Sequence, residues 1–233
     1  MCGCCIYLIL TTYHLQLFTM KNIYCISGLG ADERAFAKLH IEGYQLVHLP
    51  WLMPLANETI EQYAKRMCNN ITDEHPVLMG LSFGGIMSIE IAKHLTAEKV
   101  ILISSVKSFK EMPAWMKLAG RLKLNKLIPM RPYKFFEPIQ NYNLGAKTPE
   151  EKEMARTFRE NVSRQYLDWA IGQVLNWKND WQPASIYHIH GNADKLFPIK
   201  KVKANFVIND AGHLMIMNKS REVNRFLQTI LTA

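Results

Sequence analysis

The chain has no uninterrupted apolar run near the roughly 18 residues that a membrane-crossing helix needs, and no internal repeat of the roughly 20- to 50-residue period that marks solenoids and propellers. Low-complexity tracts are also absent. Cysteine is sparse: Cys2, Cys4, Cys5, Cys25 and Cys68 make an odd number, and the C-x-x-C spacing of Cys2 and Cys5 has no second pair to complete a zinc set, which argues against a disulfide framework or a zinc site. That usage points to a reducing compartment, so the cytoplasm is the expected location. Acidic residues are nearly missing from one region. Across Lys107 to Lys134 only Glu111 opposes Lys107, Lys110, Lys117, Arg121, Lys123, Lys126, Arg131 and Lys134.

What is present suits one globular domain with a substantial core: 233 residues, 48% hydrophobic and 21% charged, with a net charge of +8. Met1 to Thr19 is apolar but carries neither a basic n-region nor a small-residue cleavage site, so a secretory signal fits poorly. This stretch is expected to be a disordered or misassigned extension, with an extra strand or a peripheral anchor as the alternatives. The domain proper is expected from residue 20 to 233.

Short apolar runs suited to buried parallel strands occur at Asn22 to Ser27, Tyr44 to Leu49, Pro76 to Leu81, Lys99 to Ser105, Ser185 to His190 and Ala204 to Ile208. Between them, helical spacing appears at Asn57 to Asn70, with Asn57 as N-cap, at Gly84 to Leu95 and at Lys219 to Leu231. Strands alternating with helices predict an α/β fold with a mostly parallel sheet covered on both faces. The alternation stops between Val106 and Pro183. That stretch shows helical segments near Pro113 to Leu127 and from Thr148 onward, where Thr148-Pro149-Glu150-Glu151 forms a capping box with proline at the first helical position. An inserted helical cap over about residues 106 to 183 is the simplest account.

Gly80-Leu81-Ser82-Phe83-Gly84 lies between a strand candidate and a helix candidate. Gly-x-Ser-x-Gly alone arises by chance in roughly one chain of this size in ten to twenty, but strand, turn, helix is the context in which it lifts a serine out of the backbone as a nucleophile. Serine needs a base, and the base needs an orienting group. Asp194 follows the fifth strand candidate and His213 the sixth. Turns after the carboxyl ends of parallel strands share one edge of the sheet, so Ser82, Asp194 and His213 can converge. Asp210 is an alternative carboxylate, but three residues from His213 it is poorly placed to reach the ring. An oxyanion needs donors, and the backbone N–H groups of Phe83 and of Leu29, in the glycine-flanked loop after the first strand, are the candidates.

These residues resemble the α/β-hydrolase fold superfamily, specifically its small capped esterase-like serine hydrolases. The resemblance runs from Ile23 to His213 through ISGLGADERAF, GLSFGG, HGNAD and AGH. It implies an ester hydrolase with Ser82, Asp194 and His213 as the triad and no metal or organic cofactor. Many relatives have His-Gly where this chain has Ser27-Gly28, so the support of the oxyanion loop must differ here. Acyltransferase, thioesterase, amidase or lyase chemistry on the same residues, and a ligand-binding receptor with negligible turnover, are the alternatives. A haloalkane dehalogenase is disfavoured, since its nucleophile would be an aspartate at Ser82.

The other candidates each have a plainer reading. His188 and His190 would share one strand face, where packing is a commoner role than metal binding. Trp115, Phe109, Phe197 and Met215 could line a substrate pocket, although each is more often core. The basic stretch, interleaved with Trp115, Met116, Leu118, Leu122 and Leu127, could meet an anionic membrane surface or steer an anionic substrate, while a solvated face over an apolar one is the commoner outcome. No nucleic-acid motif accompanies the charge, and a small-molecule ester is the expected partner; the sequence leaves the oligomeric state open. The charge cluster leads to an expectation of weak, salt-sensitive sedimentation with anionic vesicles, an idea that equal retention on neutral vesicles would remove.

Overall fold

In the computed structural model, residues 20–123 and 137–232 are described. The N-terminal stretch, and with it the expectation for Met1 to Thr19, lies outside them, as do Lys126, Leu127, Arg131 and Lys134. Six strands form one sheet in the order β2-β1-β3-β4-β5-β6: β1 (Lys21–Ile26), β2 (Tyr44–His48), β3 (Val77–Leu81), β4 (Lys99–Ile103), β5 (Ile186–Gly191) and β6 (Phe206–Ile208). Every neighbouring pair is parallel. No helix among the described residues is long and apolar enough to cross a membrane.

The near-continuous apolar character of the strands follows from burial on both faces. Ile23, Cys25, Met79, Ile101 and Ile103 point to one side, where they meet Val223, Leu227, Ile230 and Leu231 of α8 (Ser220–Thr232). Tyr24, Ile26, Leu78, Val100 and Leu102 point to the other, against α1 (Ile60–Met67) and α2 (Phe83–Ile91). All nine residues of α2 are buried, so this helix shows no amphipathic stripe, and it ends at Ile91, short of Leu95.

Helix α1 begins later than Asn57. Thr59 accepts from the Gln62 amide while Gln62 reciprocates to the Thr59 amide, and this capping box fixes the start. Asn57 instead stands in the preceding turn at φ 57°. Between β4 and β5 the described residues hold α3 (Ala114–Arg121), α4 (Glu137–Leu144), α5 (Pro149–Glu160) and α6 (Arg164–Asn176). The Thr148 capping box opens α5 as expected. This helical insertion touches the sheet's loops directly: Leu214 N–H donates to Leu144 O at 3.0 Å, and a Cβ on Gly145 would lie 3.2 Å from Gly212 Cα. The last helices are α7 (Met215–Asn218) and α8.

The chain passes from β1 outward to β2 and returns on the other side to β3, so β1 and β3 flank a topological switch point, where the carboxyl ends of strands open a crevice. The crossing there is tight. A Cβ on Gly84 would collide with the Ile26 and Ser27 carbonyls, and one on Gly80 with the Gly84 backbone. Backbone cannot retreat as a flexible side chain does. Gly84→Ala is therefore expected to cost the upper end of the ~1–3 kcal/mol typical of overpacking, or more, read as a lowered midpoint in urea unfolding.

Candidate active site

Ser82 sits between β3 and α2 with φ 53° and ψ −117°, a strained conformation for a residue with a Cβ. The strain is held by neighbours on both sides. Ser82 N–H donates to Ile103 O at 2.9 Å, and Ser82 O accepts from Gly85 N–H at 2.9 Å and from the Ser105 hydroxyl at 2.7 Å. The hydroxyl of Ser82 is thereby presented at the sheet edge. It lies 2.8 Å from His213 Nε2, while His213 Nδ1 is 2.8 Å from Asp194 Oδ2.

A carboxylate can only accept, so His213 Nδ1 carries the proton that points to Asp194 and Nε2 is left as the acceptor facing Ser82. Asp194 is held by more than the histidine: its Oδ1 accepts from the amides of Leu196 at 2.8 Å and Phe197 at 2.9 Å. Burial alone would raise its carboxyl, but His213, the Phe197 amide and His190 together bring it below the usual carboxylate value. It stays ionised at neutral pH. Asp210 is exposed, its amide donating to Asn192 Oδ1 at 2.8 Å, and it has no part in this chain.

The loop after β1 closes over the same point. A Cβ on Gly28 would lie 3.5 Å from Ser82 Cβ, and Leu29 and Phe83 both line the cavity above Ser82. Among the described residues neither the Leu29 nor the Phe83 amide donates to a backbone carbonyl in a loop or turn. The cavity has a volume of about 500 Å³ and is walled mainly by apolar side chains, among them Leu29, Ile86, Met116, Ile171, Val174 and Leu175. Arg159, Gln140 and Asn143 supply polar groups to the lining; Arg159 already faces Glu137 at 3.3 Å.

No protein-family model matches the sequence, and no curated protein does. Solved structures do. A hydrolase from Pseudomonas aeruginosa PA01 superposes with a TM-score of 0.72 at 13% identity, covering 91% of this chain and 90% of that one. MenH from S. aureus gives 0.70 at 18% identity over 92% and 94%, and an esterase from Thermogutta terrifontis 0.68 at 17% over 91% and 89%. The chain has the α/β-hydrolase fold.

In this α/β-hydrolase frame the pocket candidates divide. Trp115 and Phe197 line the cavity, with Trp115 57% exposed and so at its mouth. Phe109 and Met215 do not line it. Met215 is fully buried in the core beneath the sheet edge, and Phe109 is tied by its amide to Asn179 O at 2.9 Å. Apolar character does not reveal which way a side chain turns. Ser105, which holds the Ser82 carbonyl, carried no sequence signal beyond its place after a strand.

His188 and His190 lie directly behind Asp194. His190 Nε2 donates to Phe197 O at 2.8 Å and stands 3.6 Å from Asp194 Oδ2, while His190 Nδ1 is 3.2 Å from His188 Nε2. Among the described residues no cluster of three His, Cys, Asp or Glu side chains is arranged to hold a metal ion. Burial depresses the pKa of both histidines, that of His188 strongly, so the folded chain holds them neutral while the unfolded chain protonates them below its ordinary value near 6.5. The unfolded state then binds more protons, and stability falls as the pH drops below about 6.5. The thermal midpoint is expected to decline from pH 7 to pH 5, and His188→Gln to decline less steeply; parallel slopes would contradict this.

Proposed function

We propose that this chain is a serine hydrolase that cleaves small or medium carboxylic esters carrying an apolar acyl group. The observation that carries this reading is the hydrogen-bonded chain from Ser82 through His213 to an ionised Asp194 at the base of an apolar cavity. Ser82 Oγ attacks the carbonyl carbon as His213 Nε2 takes its proton. The tetrahedral oxyanion is met by the Leu29 and Phe83 amides, whose fixed dipoles need no reorganisation as charge develops. His213 then gives the proton to the departing alkoxide, leaving an acyl group on Ser82. A water activated by the same imidazole releases the acid. Asp194 keeps the imidazole in the tautomer this sequence of transfers needs and stabilises its cationic form.

The esterase and hydrolase among the similar structures agree with this reaction class, and the cavity wall supports the apolar acyl group. A volume of about 500 Å³ is in the range of sites that enclose a small organic ligand. Each methylene buried against such a wall is worth ~0.8 kcal/mol, or about fourfold in kcat/KM.

The test is intact-mass analysis after a fluorophosphonate probe, beside assays on p-nitrophenyl esters of increasing acyl length, for the wild type and Ser82→Ala. A single adduct on Ser82 is expected, with kcat/KM rising from acetyl to about octanoyl, and turnover in Ser82→Ala lower by about 10⁴-fold or more. An unlabelled, inactive wild type would move the assignment to a ligand-binding receptor.

A further inference from the structure

The loop that carries Leu29 is braced from outside the cavity. Ser27 Oγ donates to Ala31 O at 2.6 Å, and Ala31 N–H donates to Gly28 O at 3.0 Å, which closes the chain into a tight turn. A third group holds this turn against the body of the protein: the indole N–H of Trp51 reaches Ser27 Oγ at 3.0 Å and Gly28 O at 3.3 Å. Trp51 follows β2, the strand beyond β1. Its ring lies flat on the ring of Phe83, with centroids 5.0 Å apart and planes 10° apart. Tyr166 and Tyr63 pack on it at 5.4 and 6.2 Å.

One side chain therefore grips both segments that carry the proposed donors, Leu29 and Phe83, and it does so without lining the cavity. We propose that Trp51 is a positioning residue for the oxyanion site, setting the distance between the Leu29 and Phe83 amides. The inference rests on the serine-hydrolase reading. Two donors that belong to different segments, the loop after β1 and the start of α2, need a common reference, because a misplacement of about 1 Å can cost on the order of 10²-fold in rate. The indole supplies it with a hydrogen bond on one edge and a stacked face on the other.

The test compares the wild type with Trp51→Phe, Ser27→Ala and the double variant, using the p-nitrophenyl ester the wild type turns over best. Trp51→Phe keeps an aromatic ring for Phe83 and Tyr166 but loses the N–H; Ser27→Ala removes the nearer of its two acceptors, together with the bond to Ala31 O, and leaves the indole in place. Each is expected to lower kcat by about 10- to 100-fold with KM within about twofold. The double variant should be no more than about threefold below the weaker-turning single, since both break one brace. Fluorophosphonate should still label Ser82 to completion in all of them.

Single variants with kcat within about threefold of the wild type would overturn the proposal, as would a raised KM at unchanged kcat. Should Trp51→Phe not fold, as judged by its thermal unfolding, Ser27→Ala decides by the same criteria. A wild type with neither adduct nor turnover would remove the hydrolase reading and this role with it, which separates that failure from loss of the brace alone.

Discussion

The close approach of two backbones, at Gly84 against the end of β1, is the constraint on which the site depends. Because the carbonyls of Ile26 and Ser27 occupy the space where a Cβ on Gly84 would stand, α2 can start hard against the sheet with no intervening loop. The turn between β3 and α2 then has room for Ser82 alone, and Ser82 takes up the strain at φ 53°. The same contact brings the loop after β1 alongside the turn of Ser82, so a single packing event sets both segments of the candidate site. A Cβ at Gly84 would force these two segments apart.

Much of this was legible because the relevant residues stand at strand ends. Ser82, Asp194 and His213 each follow an apolar run, and in a parallel sheet this suffices to put them on one edge; the hydrogen bonds of 2.8 Å that join them supply the spacing that order along the chain cannot. The strands themselves could be read because they are buried on both faces. Helix ends were less legible where two caps compete: Asn57 is a good cap by type, but Thr59 and Gln62 cap each other's amides. Met215 was misplaced for a different reason, since burial against the core and burial against a cavity select the same side chains, whereas Phe109 is half-buried and belongs to neither.

Trp51 had no local signature at all. Its partners at Ser27, Gly28 and Phe83 belong to other strands and turns, so its contribution depends on topology rather than on neighbours in sequence. The pair behind Asp194 is similar. His188 and His190 share a face as period-two spacing requires, yet what that face meets, the Phe197 carbonyl and the back of the carboxylate, comes from a turn that folds back on the strand. Polar groups that hold a site from behind are defined by long-range contacts and are the hardest to foresee.

The insertion leaves the sheet after β4 and rejoins it at β5, and these two strands are hydrogen-bonded neighbours. Such a gap behaves as a splice junction. Chain of another length or helical content can leave and rejoin the sheet there with every strand register intact. The exchange is not unrestricted, because the Leu144 carbonyl accepts from Leu214 and Gly145 abuts Gly212, beside His213. A replacement that kept this contact would need a carbonyl there and no side chain against Gly212, besides the bonds that Gln165 and Trp169 make to Pro54 and Glu58.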